Sequence, residues 1–452
     1  MTTALIARAI GPELYGRYTF GLTYILVFSV FSNFGIESLF IREASREKAK
    51  VSLINDILPI KVVLSCVTVL AVIVSAQVLE YPSSTKEVIY ILCVGLFFQV
   101  LYECLMSVYK ALEEMYIVAL FSILFRIVSA GAIIVSIVSG LGFFGIVSAF
   151  AIGNASVFAM ALWIHARRWG LGAIRVNART WISLVVQGYP FFLSALLSML
   201  YGKINVLLLS KMVPETDLGY FMAAANLVDN LFIIPTAFNM TIFPVFSRIY
   251  GTSSEALRET YGKMVRYMLI LTLGVSAGTV LVGEHVITLL YGDQFVGATY
   301  VLQILIFYWA LAFFSNVQSS LLFSIHQERI QAKIMMVAFV LSITLNAILI
   351  YLYGIIGAAC AAVATEAIVV ALIAAALWKV NYRWPFESKT MMLVFNVLAM
   401  AVIVRLLLPV NLGLAVSMGA LTYLLLLFPV GLVDHEDKIL LFAWMKKRFA
   451  HE

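Results

Sequence analysis

Charge is what this chain of 452 residues has least of: Asp, Glu, Lys and Arg make up only 12% of it, where soluble domains carry about 25%. With 63% hydrophobic residues and a mean hydropathy of +1.01, it belongs in a bilayer. Other absences narrow the function. No G-x-x-x-x-G-K-S/T phosphate cradle occurs, so the chain is not its own ATP-driven motor. His165, His285, His326, His435 and His451 are scattered over span ends and loops with no HExxH or triad-like company, and no enzyme is expected. The four cysteines, Cys66, Cys93, Cys104 and Cys360, lie in apolar runs without C-x-x-C spacing; they read as core residues, and no metal or other cofactor is expected.

Long apolar runs are what the chain has instead. A helix needs about 20 apolar residues to cross the hydrocarbon, and such runs fall at 15–40, 54–79, 86–110, 115–138, 142–166, 181–211, 217–247, 263–290, 297–324, 330–352, 355–379, 388–408 and 411–432. The apolar stretch Thr3–Ile10 would rise only about 15 Å as a helix. It reads as the second half of a fourteenth span whose first half precedes Met1; no basic n-region marks it as a signal peptide.

The runs were built twice. Arg8 through Gly11-Pro12-Glu13 and Tyr15-Gly16-Arg17-Tyr18 leads into a run closed by Phe40-Ile41-Arg42. Lys211 through Pro214-Glu215 and Leu218-Gly219-Tyr220-Phe221 leads into one closed by Phe246-Ser247-Arg248. Gly142-Phe-Phe-Gly145 and Gly354-Ile-Ile-Gly357 repeat the echo, each opening a helix that reaches Trp163 or Trp378. The offset grows from 203 at Gly16/Gly219 to 212 at Gly142/Gly354, so loops drifted while spans did not. This is a duplicated bundle and not a solenoid of short repeats. The expected organisation is an all-α integral membrane protein: a lobe at 1–170, a second at 180–380, an added helix pair at 388–433 and a tail at 434–452.

Basic residues set the orientation, because short cytoplasmic loops collect Lys and Arg. With the N-terminus inside, 22 of the 30 lie on the cytoplasmic side, while Arg8, Arg17, Lys86, Lys211 and Arg405 lie outside. Both termini are therefore expected in the cytoplasm, and six spans per lobe make the repeats parallel. Both Pro-Glu-Gly segments become outer hairpin turns. No outer loop exceeds about ten residues, which leaves no extracytoplasmic domain for a glycan polymerase or ligase. Orientation accounts for the net charge of +6 without nucleic acid as a partner.

Ionisable groups at bilayer depth cost about 2.5–3.5 kcal/mol on insertion scales, so they face a cavity or a partner. Arg126 shares a face with Ser122 and Ser129, and Glu103 shares one with Gln99 and Ser107. These two either line a cavity or form a buried ion pair between adjacent helices. Lys61 lies close enough to the cytoplasmic end to snorkel outward. In the second lobe, Lys203 precedes the stripe Asn226, Asp229 and Asn230; lysine and aspartate there either neutralise each other or serve substrate or coupling. Glu366 with Thr365, the series Ser29, Asn33 and Glu37, and Asn316, Ser319 and Ser320 extend the polar lining. Pro190, Pro235 and Pro244 permit kinks in their spans.

The segments Gly11-Pro12-Glu13-x-Tyr15-Gly16-x-Tyr18, Asn33-Phe34-Gly35-Ile36-Glu37 and Ile41-Arg42-Glu43, with the second-lobe forms at 213–221 and 243–248, resemble the Wzx-type polysaccharide flippases. These belong to the multidrug/oligosaccharidyl-lipid/polysaccharide exporter superfamily. The resemblance implies two six-helix lobes around a cationic cavity. It further implies transport of an undecaprenyl-pyrophosphate-linked oligosaccharide across the bacterial inner membrane by alternating access, for O-antigen, lipopolysaccharide or capsule. Arg8, Arg42, Lys61, Arg126, Lys203, Asn226 and Asn230 become candidates to hold the substrate, and Glu103, Asp229 and Glu366 to couple its movement. A polysaccharide polymerase, a chain-length regulator and membrane lipids are the implied partners. The relatives' acidic residue near Asn205 has no equivalent, and Lys203 stands close by. A cation-coupled multidrug antiporter shares the architecture but calls for an acidic, aromatic cavity, and a purely structural scaffold would not need charges on helix faces in both lobes.

Overall fold

The computed structural model describes residues 2–47, 54–170, 177–382 and 392–427. Among them every regular element is helical, as a bilayer requires, because a crossing segment there must satisfy its own backbone groups. All thirteen expected spans fall on helices, in whole or over their described part. The expected tail at 434–452 lies outside the described residues. Two compact units divide the chain, Met1–Gly219 and Tyr220–Glu452.

The first unit holds α1 (Thr2–Asn33), α2 (Ile36–Arg46), α3 (Ile54–Val78), α4 (Ser83–Ala111), α5 (Met115–Val138), α6 (Gly142–Trp169), α7 (Ala178–Met212) and the first turn of α8 (Glu215–Leu231). Its core helix is α4, which packs on α1, α3 and α6. Helix α7 packs on α1, α2 and α3.

The expected straight span 15–40 is broken. Phe34 and Gly35 adopt φ of 46° and 71°, and α1 meets α2 at a bend of 49°. Ser29, Asn33 and Glu37 therefore do not form one stripe. Instead Asn33 caps the break, its Oδ1 accepting the Glu37 backbone N–H at 3.4 Å. A second interruption, Gly11 at φ 76° and ψ 172°, divides α1. Pro12 follows at the first position of the new segment, where its missing N–H costs nothing.

The second unit continues α8 and adds α9 (Ile233–Tyr250), α10 (Ser254–Tyr291), α11 (Thr299–Ser324), α12 (Glu328–Lys379), α13 (Met392–Leu407) and α14 (Leu412–Leu427). Its core helix is α11, packed on α9, α10 and α12 with Trp309 and Phe313 fully buried. The added pair α13–α14 packs on α10, where Tyr423 Oη donates to the Ile270 carbonyl at 2.7 Å. Pro235 separates α8 from α9 at Phe232, since its ring cannot sit beside the Leu231 carbonyl four residues back. Pro190, by contrast, lies within an uninterrupted α7.

The repeated Gly-x-x-Gly segments share one local geometry. Gly142 and Gly354 have φ of 67° and 58°, a conformation that favours glycine, and each opens a helical segment. In both, the second glycine lies against the end of the preceding segment: a Cβ on Gly145 would stand 3.2 Å from Ser136 Cβ, and one on Gly357 3.0 Å from the Ile350 nitrogen. The cysteines divide: Cys93 and Cys104 are buried as core residues, but Cys66 and Cys360 are exposed on the protein surface, because α3 and α12 each keep one face outside the helix packing.

Candidate functional site

The two Pro-Glu-Gly segments dock on each other. A Cβ on Gly219 would overlap the Pro12 carbonyl, and one on Gly16 would stand 2.7 Å from the Gly219 nitrogen, so backbone meets backbone here. Arg17 Nη2 and Nε reach Glu215 Oε2 at 2.5 and 2.8 Å, and Thr85 Oγ1 donates to Glu215 Oε1 at 2.6 Å. Lys211 Nζ lies 3.6 Å from the Tyr81 ring centroid and donates to the Leu79 carbonyl. At the other end of α1, Gly35 meets Gly188, where a Cβ would stand 2.5 Å from the Phe34 carbonyl oxygen. The Phe34 and Phe192 rings stack there at 4.3 Å. The two glycine contacts are about 28 Å apart along the chain's helical rise from Gly16 to Gly35, close to the thickness of the hydrocarbon core. Helix α1 is thus in backbone contact with α8 near its Gly11 break, and the chain beyond its other end meets α7.

Beside the α1–α2 break lies a charged cluster. Lys61 does not snorkel: it is 1% exposed, and its Nζ donates to Asn33 Oδ1 at 2.7 Å and to the Asn33 carbonyl at 3.3 Å. The reason is the interrupted helix, whose last carbonyls carry partial negative charge and lack intrahelical donors. Lys110 Nζ pairs with Glu37 Oε1 at 2.7 Å. Glu103 Oε1 accepts from Gln99 Nε2 at 2.8 Å. Lys61, Glu37, Glu103 and Lys110 lie within electrostatic reach of one another.

Arg126 stands apart from that cluster. It is exposed on α5 and has no hydrogen-bond or ion-pair partner among the described residues, so the expected alternative of an ion pair with Glu103 is not formed. At 100° per residue, Ser122, Arg126 and Ser129 make one strip. The exposed Leu120, Ile123, Ile127 and Ile134 lie about a quarter turn away. Arg42 is also outside the cluster, 3.3 Å from Glu43 and 5.6 Å from the Phe191 ring centroid. Arg8 is exposed on the first segment of α1, and Lys203 is half-buried on α7.

In the second unit, Asn226 is half-buried while Asp229 and Asn230 are exposed at the end of α8, and Asn230 Nδ2 donates to the Asn226 carbonyl at 2.7 Å. Glu366 is buried on α12 and accepts from Ser315 Oγ. Tyr308 of α11 feels both Glu366 and Asp229. Farther along α11, Ser320 Oγ donates to Asn239 Oδ1 of α9 beside a cavity of about 420 Å³. Sequence reading reached Asn316 and Ser320 but missed Asn239 and Thr236. The signal was present as Thr236, Asn239 and Phe243 at i, i+3 and i+7 on one face of an apolar helix.

Residues 1–250 match the family described as polysaccharide biosynthesis protein. A structure described as the lipid II flippase MurJ in an inward closed conformation is similar over 97% of both chains, with a TM-score of 0.76 at 14% identity. An inward-facing multidrug resistance MATE family transporter of the MOP superfamily matches over 84% of this chain and 96% of its own, with a TM-score of 0.64 at 16% identity. A MOP superfamily transporter from Pyrococcus furiosus, described as having a binding pocket of reversed polarity, matches over 84% and 91%, with a TM-score of 0.53 at 14% identity. A search of curated proteins finds no match. The chain thus shares the all-α membrane fold of these transporter structures.

Proposed function

Because the chain belongs to the polysaccharide biosynthesis protein family, we propose that it is a flippase that moves an undecaprenyl-pyrophosphate-linked oligosaccharide across a bacterial inner membrane by alternating access. In this reading both termini face the cytoplasm and the glycan serves surface polysaccharide. The observation that carries it is Arg126, a guanidinium on a membrane-crossing helix without a partner among the described residues. An isolated charge at that depth costs about 2.5–3.5 kcal/mol, which an aqueous cavity and an anionic ligand relieve. A pyrophosphate is such a ligand, because guanidinium binds phosphate oxygens with paired, charge-assisted hydrogen bonds.

Lys61 has a different part. Its ammonium is committed to the α1–α2 break, so it holds the bend beside the α7 contact instead of the substrate. In this reading the Arg17–Glu215 contact lies toward the outer face, and the head group enters from the cytoplasmic side. Outward movement of net negative charge is favoured by an inside-negative potential, by about 2.3 kcal/mol per charge per 100 mV.

Replacing Arg126 and Lys203 together with Ala is expected to abolish surface-glycan export while the protein stays in the membrane. Export is read by glycan staining of cells complemented with the double variant. Undiminished export would refute the reading.

A further inference from the structure

We propose that the cavity between α9 and α11 is a binding subsite for uncharged pyranose sugars of the transported glycan; this rests on the flippase reading and adds to it where the sugar is recognised. The cavity holds about 420 Å³, within the roughly 300–1,000 Å³ of small-molecule sites. Its polar lining is Thr236, Asn239, Asn316 and Ser320, its rings are Phe243 and Phe323, and no lining residue carries a formal charge. That composition discriminates among ligands. A cationic drug calls for a carboxylate, and a pyrophosphate calls for Arg or Lys. Two amides and two hydroxyls instead match sugar hydroxyls, which both donate and accept.

Hydrogen-bonding capacity remains open in the cavity. Asn316 donates to the Ala312 carbonyl at 2.7 Å, which leaves its Oδ1 as an acceptor. Asn239 accepts from Ser320 through Oδ1, which leaves both N–H groups of Nδ2 as donors. Thr236 spends its proton on the Phe232 carbonyl at 2.7 Å and keeps its lone pairs. Phe243 and Phe323, each 42% exposed, offer ring faces to the C–H face of a pyranose. Neutral amides on two apolar helices cost free energy in a membrane unless they are hydrated or ligated, and their shared direction into one cavity is the expected form of a sugar site.

The test uses the full chain in lipid nanodiscs and two probes: bare undecaprenyl pyrophosphate, and the same lipid carrying a neutral trisaccharide of hexose and N-acetylhexosamine. Wild type should bind the glycosylated probe at least tenfold more tightly. Asn316→Ala, whose amide bonds only within α11, and Phe243→Ala should each reduce that preference about three- to tenfold, and Asn239→Ala likewise. None should change the affinity for the bare lipid, whereas Arg126→Ala should weaken both probes alike. A preference that survives in all three variants, or equal binding of both probes by wild type, overturns the subsite and leaves the flippase reading standing. Binding of neither probe by wild type overturns both.

Discussion

Replacing Gly219 with alanine puts a methyl group where two backbones already touch. The added Cβ would overlap the Pro12 carbonyl oxygen and lie 2.8 Å from its carbon, where ordinary contact begins at 3.4 Å. Neither side can swing away, because both are main chain, so the two segments must part by roughly 1 Å or more to clear the oxygen. Overpacking of this kind costs about 1–3 kcal/mol. The upper end applies because parting also stretches the 2.5 Å contact between Arg17 and Glu215. Gly202→Ala is the control within α7: nothing lies within 4 Å of its added Cβ. Alanine is preferred to glycine inside a helix by up to about 1 kcal/mol, so that change should stabilise. Thermal unfolding in detergent, followed by tryptophan fluorescence, should therefore show opposite shifts for the two variants. Equal midpoints, or a higher one for Gly219→Ala, would refute the docking of the duplicated segments.

Arg17 and Glu215 are partly buried, at 14% and 28% side-chain exposure, so Arg17→Met and Glu215→Gln should each lower stability by about 1–3 kcal/mol. Because they share one contact, the double variant should lose little more than the worse single variant, and an additive loss in unfolding experiments would argue against coupling. Lys61→Ala should lower the unfolding midpoint more than Lys61→Met, since the shorter side chain also forfeits about 0.8 kcal/mol per buried methylene; Asn33→Ala should then add little in either background. Gly354→Ala meets no neighbouring atom within 4 Å, yet should cost about 1–3 kcal/mol from its backbone conformation alone. A midpoint unchanged from wild type would show that the chain relaxes at that turn.

Much of the fold was legible before any coordinates. The thirteen runs became helices because the bilayer demands internal hydrogen bonding from each apolar segment separately. Gly142 and Gly354 were readable as repeated openings because a positive φ leaves a local mark, glycine between two apolar runs. The break at Phe34-Gly35 was not legible: Asn33-Phe-Gly-Ile-Glu37 has continuous helical spacing of its polar residues, and the bend needs Lys61 and Gly188 to hold it. Pro190 and Pro235 differ for a related reason. Each removes one intrahelical hydrogen bond, yet α7 runs on through Pro190 while the chain breaks between α8 and α9 ahead of Pro235.

The candidate site was legible as a set of residues and not as an arrangement. Arg126 and Glu103 were flagged by depth, yet whether they pair depends on the rotation of α5 against α4. Lys110, the last residue of the run 86–110, reaches across to Glu37 of α2. Asn239 shares a face with Thr236 in the sequence, but only the structure brings Ser320 and Asn316 of α11 opposite it.

The sequence by itself determined that this chain spans a membrane, that its spans were duplicated, and which residues are too polar to face lipid. Each follows from transfer free energies that add residue by residue and need no knowledge of neighbours. Tertiary structure alone decided that the duplicated segments dock on each other, that Lys61 closes a helix break, and that α9 and α11 line an open, uncharged cavity with four polar side chains. Those outcomes depend on which helix faces meet. In lipid, that choice is made by close packing of small residues and by long-range hydrogen bonds, such as the one joining Arg17 to Glu215 across 198 positions.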